Sequence, residues 1–325
     1  MNLGVAIVGA GLIGNKRAAA LPPDVTLCAV FDEAPERASA LAAAYPHAVA
    51  ATSLKGALDH PDVGLVIVAT PHHQLATIGI EAVQRGHDVL LEKPGAHRLD
   101  ALLELREAAT DAGRRVRVGF NHRFHPSFLR ARELVTAGNY GDVFSIRARY
   151  GHGGRPGYEK EWRAQRAISG GGELIDQGLH LLALVRYLTG DVDLAFSELR
   201  TDFWPMEVED NAYLALRSRA GAFAWLHASW TEWKNIFSFE LAMRTAKLDV
   251  QGLGGSYGTE RLTLYEMSPE MGPPPSTSWE WPQADNSWSL ELADVVSDLQ
   301  GGPWVGADLA DCIAAFRIVE EAYRR

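Results

Sequence analysis

The chain has 325 residues, of which 47% are hydrophobic and 22% are charged, and its formal net charge is -10. This composition is ordinary for a globular protein and excludes collagen-like, low-complexity and disordered chains, and the length predicts two domains because one domain usually holds about 100 to 200 residues. The acidic excess provides no overall positive field for a polyanion, so we expect no nucleic-acid partner.

The apolar runs and the cysteines predict a cytoplasmic protein. Gly9 ends the first apolar run and no basic residue precedes that run, which argues against a signal peptide. No run approaches the roughly 18 consecutive apolar residues of a membrane span. Cys28 and Cys312 have no cysteine neighbour at metal or redox spacing, so we expect two structural thiols in a reducing compartment.

Strands and helices alternate in the predicted elements of residues 1–120. Short, nearly continuous apolar runs are typical of strands that are buried on both faces of a parallel sheet, and the stretches between them have helical character. The predicted strands are Val5–Val8, Leu27–Phe31, Leu65–Val68, Val89–Leu91 and Val116–Val118, and the predicted helices are 12–20, 35–44, 72–85 and 98–111. This alternation predicts an α/β domain with a doubly wound parallel sheet, the Rossmann dinucleotide-binding fold.

The pattern changes after residue 120, and we assign residues 121–325 to an α+β substrate-binding domain. Phe237, Phe239 and Leu241 alternate with polar residues, a period of two that is typical of a strand with one buried face. The domain is therefore predicted to contain a large, open, mostly antiparallel sheet. Its other predicted elements are a helix at 173–189, a loop at 268–288 and a last helix at 306–323 that is expected to pack back on the first domain.

A dinucleotide-binding motif follows the first predicted strand. Gly9, Gly11 and Gly14, with Leu12 and Ile13 between the last two, form a GxGxxG that opens a helix, which is the context that the motif requires. The first glycine permits a tight turn, the second lets backbone N–H groups approach a pyrophosphate, and the third lets helix and strand pack closely. The N-terminus of the helix adds partial positive charge for the phosphates.

Asp32 ends the second predicted strand, near the spacing of about 20 residues at which the motif expects an acidic residue. Its carboxylate can accept hydrogen bonds from the adenosine ribose diol and would repel a 2′-phosphate. The sequence therefore predicts NAD as the cofactor. NADP stays open because Arg37 and the basic pair Lys16 and Arg17 are nearby in the chain.

Two further strand ends carry candidate ligand-binding residues. Thr70 and Pro71 follow the strand at 65–68, at the carboxyl edge where ligands bind in open α/β sheets. Thr70 either lines the nicotinamide side of the site or simply ends the strand. Glu92, Lys93 and Pro94 follow the next strand, and Lys93 either donates a hydrogen bond to a substrate oxygen or forms a surface ion pair.

Asp176 and His180 stand four residues apart on the predicted helix at 173–189 and so share one helix face. An imidazole supported by a carboxylate can transfer a proton near neutral pH. Oxidation of an alcohol by a nicotinamide releases a proton as well as a hydride, so such a base is needed. The alternative interpretation is an ordinary solvated helix face.

Taken in chain order, the motifs resemble the glucose-fructose oxidoreductase and inositol dehydrogenase family, written Gfo/Idh/MocA, over essentially the whole chain. The most specific parts are the tripeptide Glu92–Pro94 and the glycine run followed by Asp-x-x-x-His. The matching segments are Gly9–Gly14, Asp32, Thr70–Pro71, Glu92–Pro94, Gly119–Pro126, Gly170–His180 and Gly306–Asp308. The chain departs from the family pattern at Leu75, where members often have His, and at Ala183, where they often have Asp.

The resemblance implies a function and a site. Members usually act on sugars, inositols or sugar nucleotides with an active site between a Rossmann domain and an open-sheet domain. It implies that Lys93 orients or polarises the reacting oxygen and that His180, supported by Asp176, is the general acid/base. Arg123 and His125, in the family's positioning segment, become candidates for substrate binding.

The resemblance also implies a homodimer or homotetramer that pairs through the open sheet. In strand 222–230, Phe223 and Trp225 stand on one face with Leu226 and Trp230 on the other, so both faces are expected to need cover. The pair His122 and His125 is not enough for a metal site, and no metal is expected.

A cationic stretch between residues 147 and 166 bears on the substrate. From it we take Arg149, His152 and Arg163 as candidates for holding an acidic or nucleotide-linked sugar. Solvated loop charges or subunit contacts are the alternative. Two other functions stay open at this point: a glycosidase or lyase that retains its NAD, and a ligand sensor that binds NAD without catalysis.

Overall fold

The computed structural model describes residues 3–325 and divides the chain into two compact units. The first unit comprises Met1–Asn121 and Trp288–Ile313, and the second comprises His122–Ser287 and Ala314–Arg325. The sequence had placed every residue after 120 in one domain, whereas the segment Trp288–Ile313 belongs to the first unit. The last helix begins in the first unit and ends in the second.

The elements alternate in the first third of the chain and are mostly strands thereafter. The strands are β1 Leu3–Val8, β2 Val25–Phe31, β3 Val49–Ala50, β4 Val63–Val68, β5 Asp88–Glu92, β6 Val116–Gly119, β7 Val143–Gly151, β8 Val192–Arg200, β9 Asn211–Ser218, β10 Phe223–Ser229, β11 Ile236–Met243, β12 Ala246–Gln251, β13 Glu260–Glu266, β14 Ser276–Trp281 and β15 Ala307–Asp308. The helices are α1 Leu12–Ala19, α2 Pro35–Ala43, α3 Leu54–Leu58, α4 His72–Gln84, α5 Leu99–Ala112, α6 Pro126–Thr136, α7 Arg166–Ser169, α8 Leu179–Thr189, α9 Ser287–Leu299 and α10 Leu309–Arg324.

The first unit contains a seven-stranded sheet in the order β15-β6-β5-β4-β1-β2-β3. Strands β1 to β6 are parallel, and β15 pairs antiparallel with β6. The chain leaves β1 toward one edge and then resumes at β4 on its other side, which confirms the predicted doubly wound Rossmann fold. Val5, Ile7 and Leu65 are fully buried in its core, and Leu292 and Val295 of α9 pack into the same cluster.

The second unit contains an eight-stranded sheet in the order β14-β13-β12-β11-β7-β10-β9-β8. Only β7 and β10 pair in parallel among the described strands of this sheet, so the predicted open, mostly antiparallel sheet is confirmed. Phe237, Phe239 and Leu241 are buried as expected. Helices α6 and α8 pack on this face.

The opposite face of the second sheet is exposed. Phe223 and Trp225 have 43% and 40% of their surface exposed, and the ring of Phe196 stacks on that of Trp225 with centroids 6.0 Å apart. Leu226 and Trp230 are buried. The chain therefore covers one of the two faces, and the exposed one carries an aromatic patch.

Three local predictions needed correction. The predicted loop at 268–288 contains strand β14, an exposed edge strand whose polar residues lack the apolar pattern of a buried strand. The predicted helix at 173–189 is a π-helical segment, Leu174–Gly178, followed by α8. The predicted last helix begins only at Leu309, because Ala307 and Asp308 form β15.

Cys28 and Cys312 are both buried and are not joined in a disulfide, and the Cys312 thiol donates a hydrogen bond to the Pro94 carbonyl oxygen at 3.1 Å. No helix among residues 3–325 has the length and the sustained apolarity that a bilayer crossing requires.

Candidate active site

The three glycines of the turn after β1 differ in the space around them: two are closely packed and one faces open space. Gly9 has a φ of +96°, which favours glycine, and a Cβ there would lie 2.6 Å from the carbonyl oxygen of Ala69. A Cβ at Gly14 would clash with the carbonyl oxygen of Gly9. A Cβ at Gly11 would meet nothing within 4 Å. The first and third glycines therefore serve packing, while the second keeps the turn open beside the uncapped N-terminus of α1.

Asp32 is fixed against this turn. Its Oδ2 accepts a hydrogen bond from the Ala10 N–H at 2.7 Å, and its Oδ1 accepts one from the Ala34 N–H at 2.9 Å. The guanidinium of Arg37 lies 4.0 Å from Oδ1 and is largely exposed. The carboxylate thus has a defined position at the end of β2, where the dinucleotide motif needs it.

Thr70 follows β4 at the carboxyl edge of the first sheet. Its hydroxyl oxygen is buried and has no hydrogen-bond partner among the described residues. A buried hydroxyl left in this way is costly unless a ligand or water satisfies it. Together with the open turn at Gly11 and the fixed Asp32, it fits a polar dinucleotide at this edge.

Glu92 is engaged by the protein itself. The fully buried Arg17 lies between two carboxylates, with its Nε 2.5 Å from Glu92 Oε1 and its Nη1 2.6 Å from Glu291 Oε2, and its guanidinium stacks on the Trp288 ring. Burial works against the charge on Arg17, but the two carboxylates outweigh burial and raise its pKa. Glu92, one of the candidate ligand-binding residues, therefore anchors the turn that presents the half-exposed Lys93, which is joined to Pro94 by a cis peptide bond.

In the second unit, Glu209 holds the start of the segment that carries Asp176 and His180. Its Oε1 accepts hydrogen bonds from the N–H groups of Gly172 and Leu174 at 3.0 and 3.1 Å and from the Tyr323 hydroxyl at 2.6 Å. Burial raises the pKa of Glu209. A Cβ at Gly171 would clash with the Tyr323 hydroxyl and one at Gly172 with the Glu209 carbonyl oxygen. The glycine run is therefore required by close packing.

Asp176 lies in the π-helical segment and pairs with Arg163, whose Nε is 3.3 Å from its Oδ2. Arg163, which the sequence proposes as a substrate ligand, thus lies against a candidate catalytic carboxylate. Tyr150 of β7 is near both candidate catalytic residues: its ring centroid is 6.2 Å from that of His180, and burial, Tyr257 and then Asp176 raise its pKa. Its hydroxyl shares a hydrogen bond with that of Tyr257.

His180 is buried and its ring stacks on another imidazole. The ring centroids of His180 and His122 are 3.8 Å apart with an interplanar angle of 25°. His125, which the sequence had proposed as a substrate ligand, is buried and its Nδ1 lies 2.8 Å from Glu260 Oε2. Arg123, the other residue proposed from that segment, lies with its guanidinium over the Tyr187 ring.

The cationic stretch does not form one anion-binding surface. Arg149 donates two hydrogen bonds to Glu232, at 2.9 and 3.0 Å, and follows the exposed parity of β7 rather than the buried parity of Tyr150. Arg155 pairs with Glu161. His152 accepts a hydrogen bond from the Gly154 N–H at 2.9 Å through its Nδ1. Of the three proposed ligands, the structure brings Arg163 to Asp176, and the charge of Asp176 also acts on His152.

Three residues near Asp176 and His180 were not predicted as site residues from the sequence: His122, Tyr150 and Tyr257. Burial raises the pKa of Tyr257 to about 12, and its hydroxyl accepts a hydrogen bond from Gln177 Nε2 at 3.4 Å. Tyr150 had a usable signal, because it shares the alternating apolar parity of Ile146 on β7. In the part of the chain that the structure describes, no group of three or more His, Cys, Asp and Glu side chains has an arrangement that could hold a metal ion.

Comparisons with known proteins agree with this architecture. A levoglucosan dehydrogenase from Pseudarthrobacter phenanthrenivorans is 30% identical over 212 residues, which are 62% of this chain and 54% of that protein, so the match spans about half of that relative. A solved levoglucosan dehydrogenase in complex with NADH and levoglucosan superposes with a TM-score of 0.89 at 22% identity, covering 100% of this chain and 98% of the other. The GenD2 protein from gentamicin A biosynthesis, solved with NAD, has a TM-score of 0.84 at 27% identity and covers 99% and 93%.

Two family models match in succession. Residues 3–120 match the oxidoreductase family with an NAD-binding Rossmann fold, and residues 128–256 match the GFO/IDH/MocA C-terminal domain. Both models describe the same family and together they extend over most of the sequence. The chain belongs to the Gfo/Idh/MocA family of oxidoreductases.

Proposed function

We propose that the protein is an NAD-dependent dehydrogenase that moves a hydride between the nicotinamide and a secondary hydroxyl of a sugar or an inositol. The observation that carries the proposal is the buried His180, on a helical segment whose start is held by Glu209 and whose Asp176 is paired with Arg163. A buried imidazole beside fixed charges is suited to take the proton of a hydroxyl. Family membership and the sugar-type relatives support the same reaction class.

The residues of the glycine turn fit NAD as the cofactor. The open space at Gly11 and the N-terminus of α1 would receive the pyrophosphate, and Asp32 would accept hydrogen bonds from the ribose diol. NAD, when bound, supplies the hydride acceptor. The fixed carboxylate of Asp32 favours NAD over NADP because it would repel a 2′-phosphate.

Each catalytic residue has a separate task. His180 takes the hydroxyl proton, and Asp176 sets the charge around it. Lys93 donates a hydrogen bond to the reacting oxygen and stabilises the alkoxide character that develops there. Tyr150, a neutral phenol near neutral pH, is a second hydrogen-bonding group for a substrate hydroxyl.

We further propose that the substrate is an uncharged polyol ring. Arg149 and Arg155 each have a carboxylate partner, Glu232 and Glu161, so a phosphate or carboxylate on the substrate would have to displace an existing ion pair. An acidic or nucleotide-linked sugar is therefore the less favoured choice. Levoglucosan, the ligand of one structural neighbour, belongs to the uncharged class.

The chain is also proposed to form a homodimer or homotetramer through the exposed face of the second sheet. Phe196, Phe223 and Trp225 make an exposed aromatic patch there, and exposed patches of this kind commonly mark interfaces.

A substrate panel tests the proposed reaction. Neutral sugars, inositols and nucleotide sugars are offered with NAD and with NADP, and the absorbance of the reduced cofactor is followed. We expect net NAD reduction with a neutral polyol, and we expect His180→Ala and Lys93→Ala each to lower kcat by about 100-fold or more. Cleavage of a substrate bond without net NAD reduction would indicate a cofactor-retaining glycosidase or lyase. A sensor would be indicated if the wild-type protein bound a ligand without turnover and His180→Ala bound it equally well.

A further inference from the structure

The ring of His122 stacks on that of His180, with centroids 3.8 Å apart. The two imidazoles are close to parallel, and both side chains are buried, with 7% and 5% of their surface exposed. Tyr150 and Phe237 border the His122 ring from β7 and β11, with centroids at 5.3 and 6.2 Å. The plane of the His180 ring is thus constrained by a partner that is itself held in place.

His122 is in turn braced by a second histidine that contacts a buried carboxylate. The ring of His125 meets that of His122 edge to face at 5.4 Å. His125 Nδ1 lies 2.8 Å from Glu260 Oε2, while Glu260 Oε1 accepts a hydrogen bond from the Ser127 N–H at 2.7 Å. A row of contacts from Glu260 through His125 and His122 therefore ends on the catalytic imidazole.

The identity of the stacked partner has an electrostatic consequence. Two imidazolium ions at this separation repel strongly, so the stack resists holding two protons. The pair then titrates in two separated steps, and one ring of the pair is kept neutral to a lower pH than a lone imidazole would be. A phenyl ring in place of His122 would preserve the stacking plane without this repulsion.

Resting on the proposed role of His180, we propose that His122 is a positioning residue of the reaction: it fixes the plane of the His180 ring and opposes a second positive charge in the stack. In this proposal His122 acts through the general base, on whose ring it stacks. Of the titratable groups around the stack, Tyr150 on β7 lies beside both rings, and His125 lies beside the His122 ring. Glu260 and Asp285 face His125, and Tyr257, Asp176 and Glu173 act on Tyr150. All of these groups are present in wild type and variants alike, so they do not account for a difference between them.

Two substitutions separate the two parts of the proposal. His122→Leu removes the ring and is expected to lower kcat by about 10-fold or more with KM within about threefold, because only the orientation of the base is lost. His122→Phe keeps the ring and is expected to retain kcat within about threefold at alkaline pH. Its acid limb in the pH profile of kcat/KM is expected about one pH unit higher than in wild type.

A matched control is available in His227 of β10, whose ring stacks on that of Tyr213 of β9 with centroids 4.2 Å apart. Neither residue belongs to the candidate active site. His227→Phe is expected to leave kcat, KM and the acid limb unchanged. A second measurement needs no substrate: the His180 ring protons are titrated by NMR in wild type and His122→Phe, with His180→Gln providing the assignment. The midpoint is expected to rise in His122→Phe.

The outcomes are distinct. An unchanged acid limb and NMR midpoint in a folded His122→Phe overturn the electrostatic role, and wild-type kcat in a folded His122→Leu overturns the positioning role. If His122→Leu does not fold, the His122→Phe titration still decides. Failure of the proposed dehydrogenase activity would appear separately, as absent turnover in wild type with the NMR shift intact.

Discussion

The buried cation Arg17 should be the most costly single charge to remove from the first unit. Arg17→Met leaves the carboxylates of Glu92 and Glu291 buried without the guanidinium that lies 2.5 and 2.6 Å from them. Breaking a buried ion pair from one side costs about 3–5 kcal/mol because the remaining charge stays desolvated. Two carboxylates share this one cation, so we expect the upper part of that range.

The expected loss is large enough to measure as a melting temperature. For a unit of this size 1 kcal/mol corresponds to roughly 2–4 °C, so the first unit of Arg17→Met should melt about 10–20 °C lower at pH 8. The control is Arg37→Met, which removes an exposed guanidinium 4.0 Å from Asp32 and should cost less than about 1 kcal/mol. Differential scanning calorimetry of both variants at equal protein concentration makes the comparison.

The pH dependence tests the cause. In Arg17→Met the buried carboxylates bind protons more readily in the folded than in the unfolded chain, so folding should recover as the pH falls toward about 5.5. The triple variant Arg17→Met, Glu92→Gln, Glu291→Gln removes the charges together and should recover most of the loss at pH 8. An Arg17→Met protein that melts like wild type, or whose deficit is the same at both pH values, would refute the reasoning.

Three further predictions concern other parts of the molecule. Asp32→Ala should lower the preference for NAD over NADP by about 10-fold or more, measured as the ratio of kcat/KM values with the two cofactors, and an unchanged ratio would remove Asp32 from the ribose site. Glu209→Gln should melt at or above the wild-type temperature at pH 8, because burial raises the pKa of Glu209 and the ionised form is the costly one. This gain should vanish as the pH falls and the wild-type carboxyl takes up its proton. Tyr323→Phe removes one hydrogen-bond donor to Glu209 and should lower the free energy of unfolding by about 1 kcal/mol. Trp225→Glu should shift the sedimentation profile toward monomer, whereas the same result with an exposed control such as Lys55→Glu would point to a general effect of charge.

The sequence predicted the first unit well because its strands are buried on both faces. Runs such as Leu65–Val68 are apolar at every position, and the glycine turn has a fixed spacing that depends only on neighbouring residues. Strand β3 was not predicted because it has only two residues, both exposed, and β14 was not predicted because its residues are mostly polar and exposed. The partner of Arg17 escaped for another reason: Glu291 lies 274 positions further along the chain, so no local pattern joins them.

In the candidate site, the sequence indicates individual residues more readily than the contacts between them. Asp176 and His180 follow from a local spacing, but the stack of His180 on His122 joins segments that are distant in sequence. Arg149 is a different case, since the alternation of β7 already put it on the face opposite Tyr150. The density of positive charge along residues 147–166 carries no information about this alternation or about the carboxylates that pair with Arg149 and Arg155.

The geometry of the segment 170–180 follows from packing more than from helix propensity. Three successive glycines are poor helix formers, yet two of them are required because Tyr323 and Glu209 occupy the space a side chain would need. The helix then begins with a π turn that contains Asp176, and π turns occur preferentially at functional sites, where the wider turn redirects side chains. Since Glu209 bonds the N–H groups of Gly172 and Leu174 at the start of this turn, the direction of Asp176 depends on a carboxylate and a tyrosine that take no part in the chemistry. The position of the proposed base is thus determined at both ends, by this clamp at the start of the segment and by the His122 ring at its end.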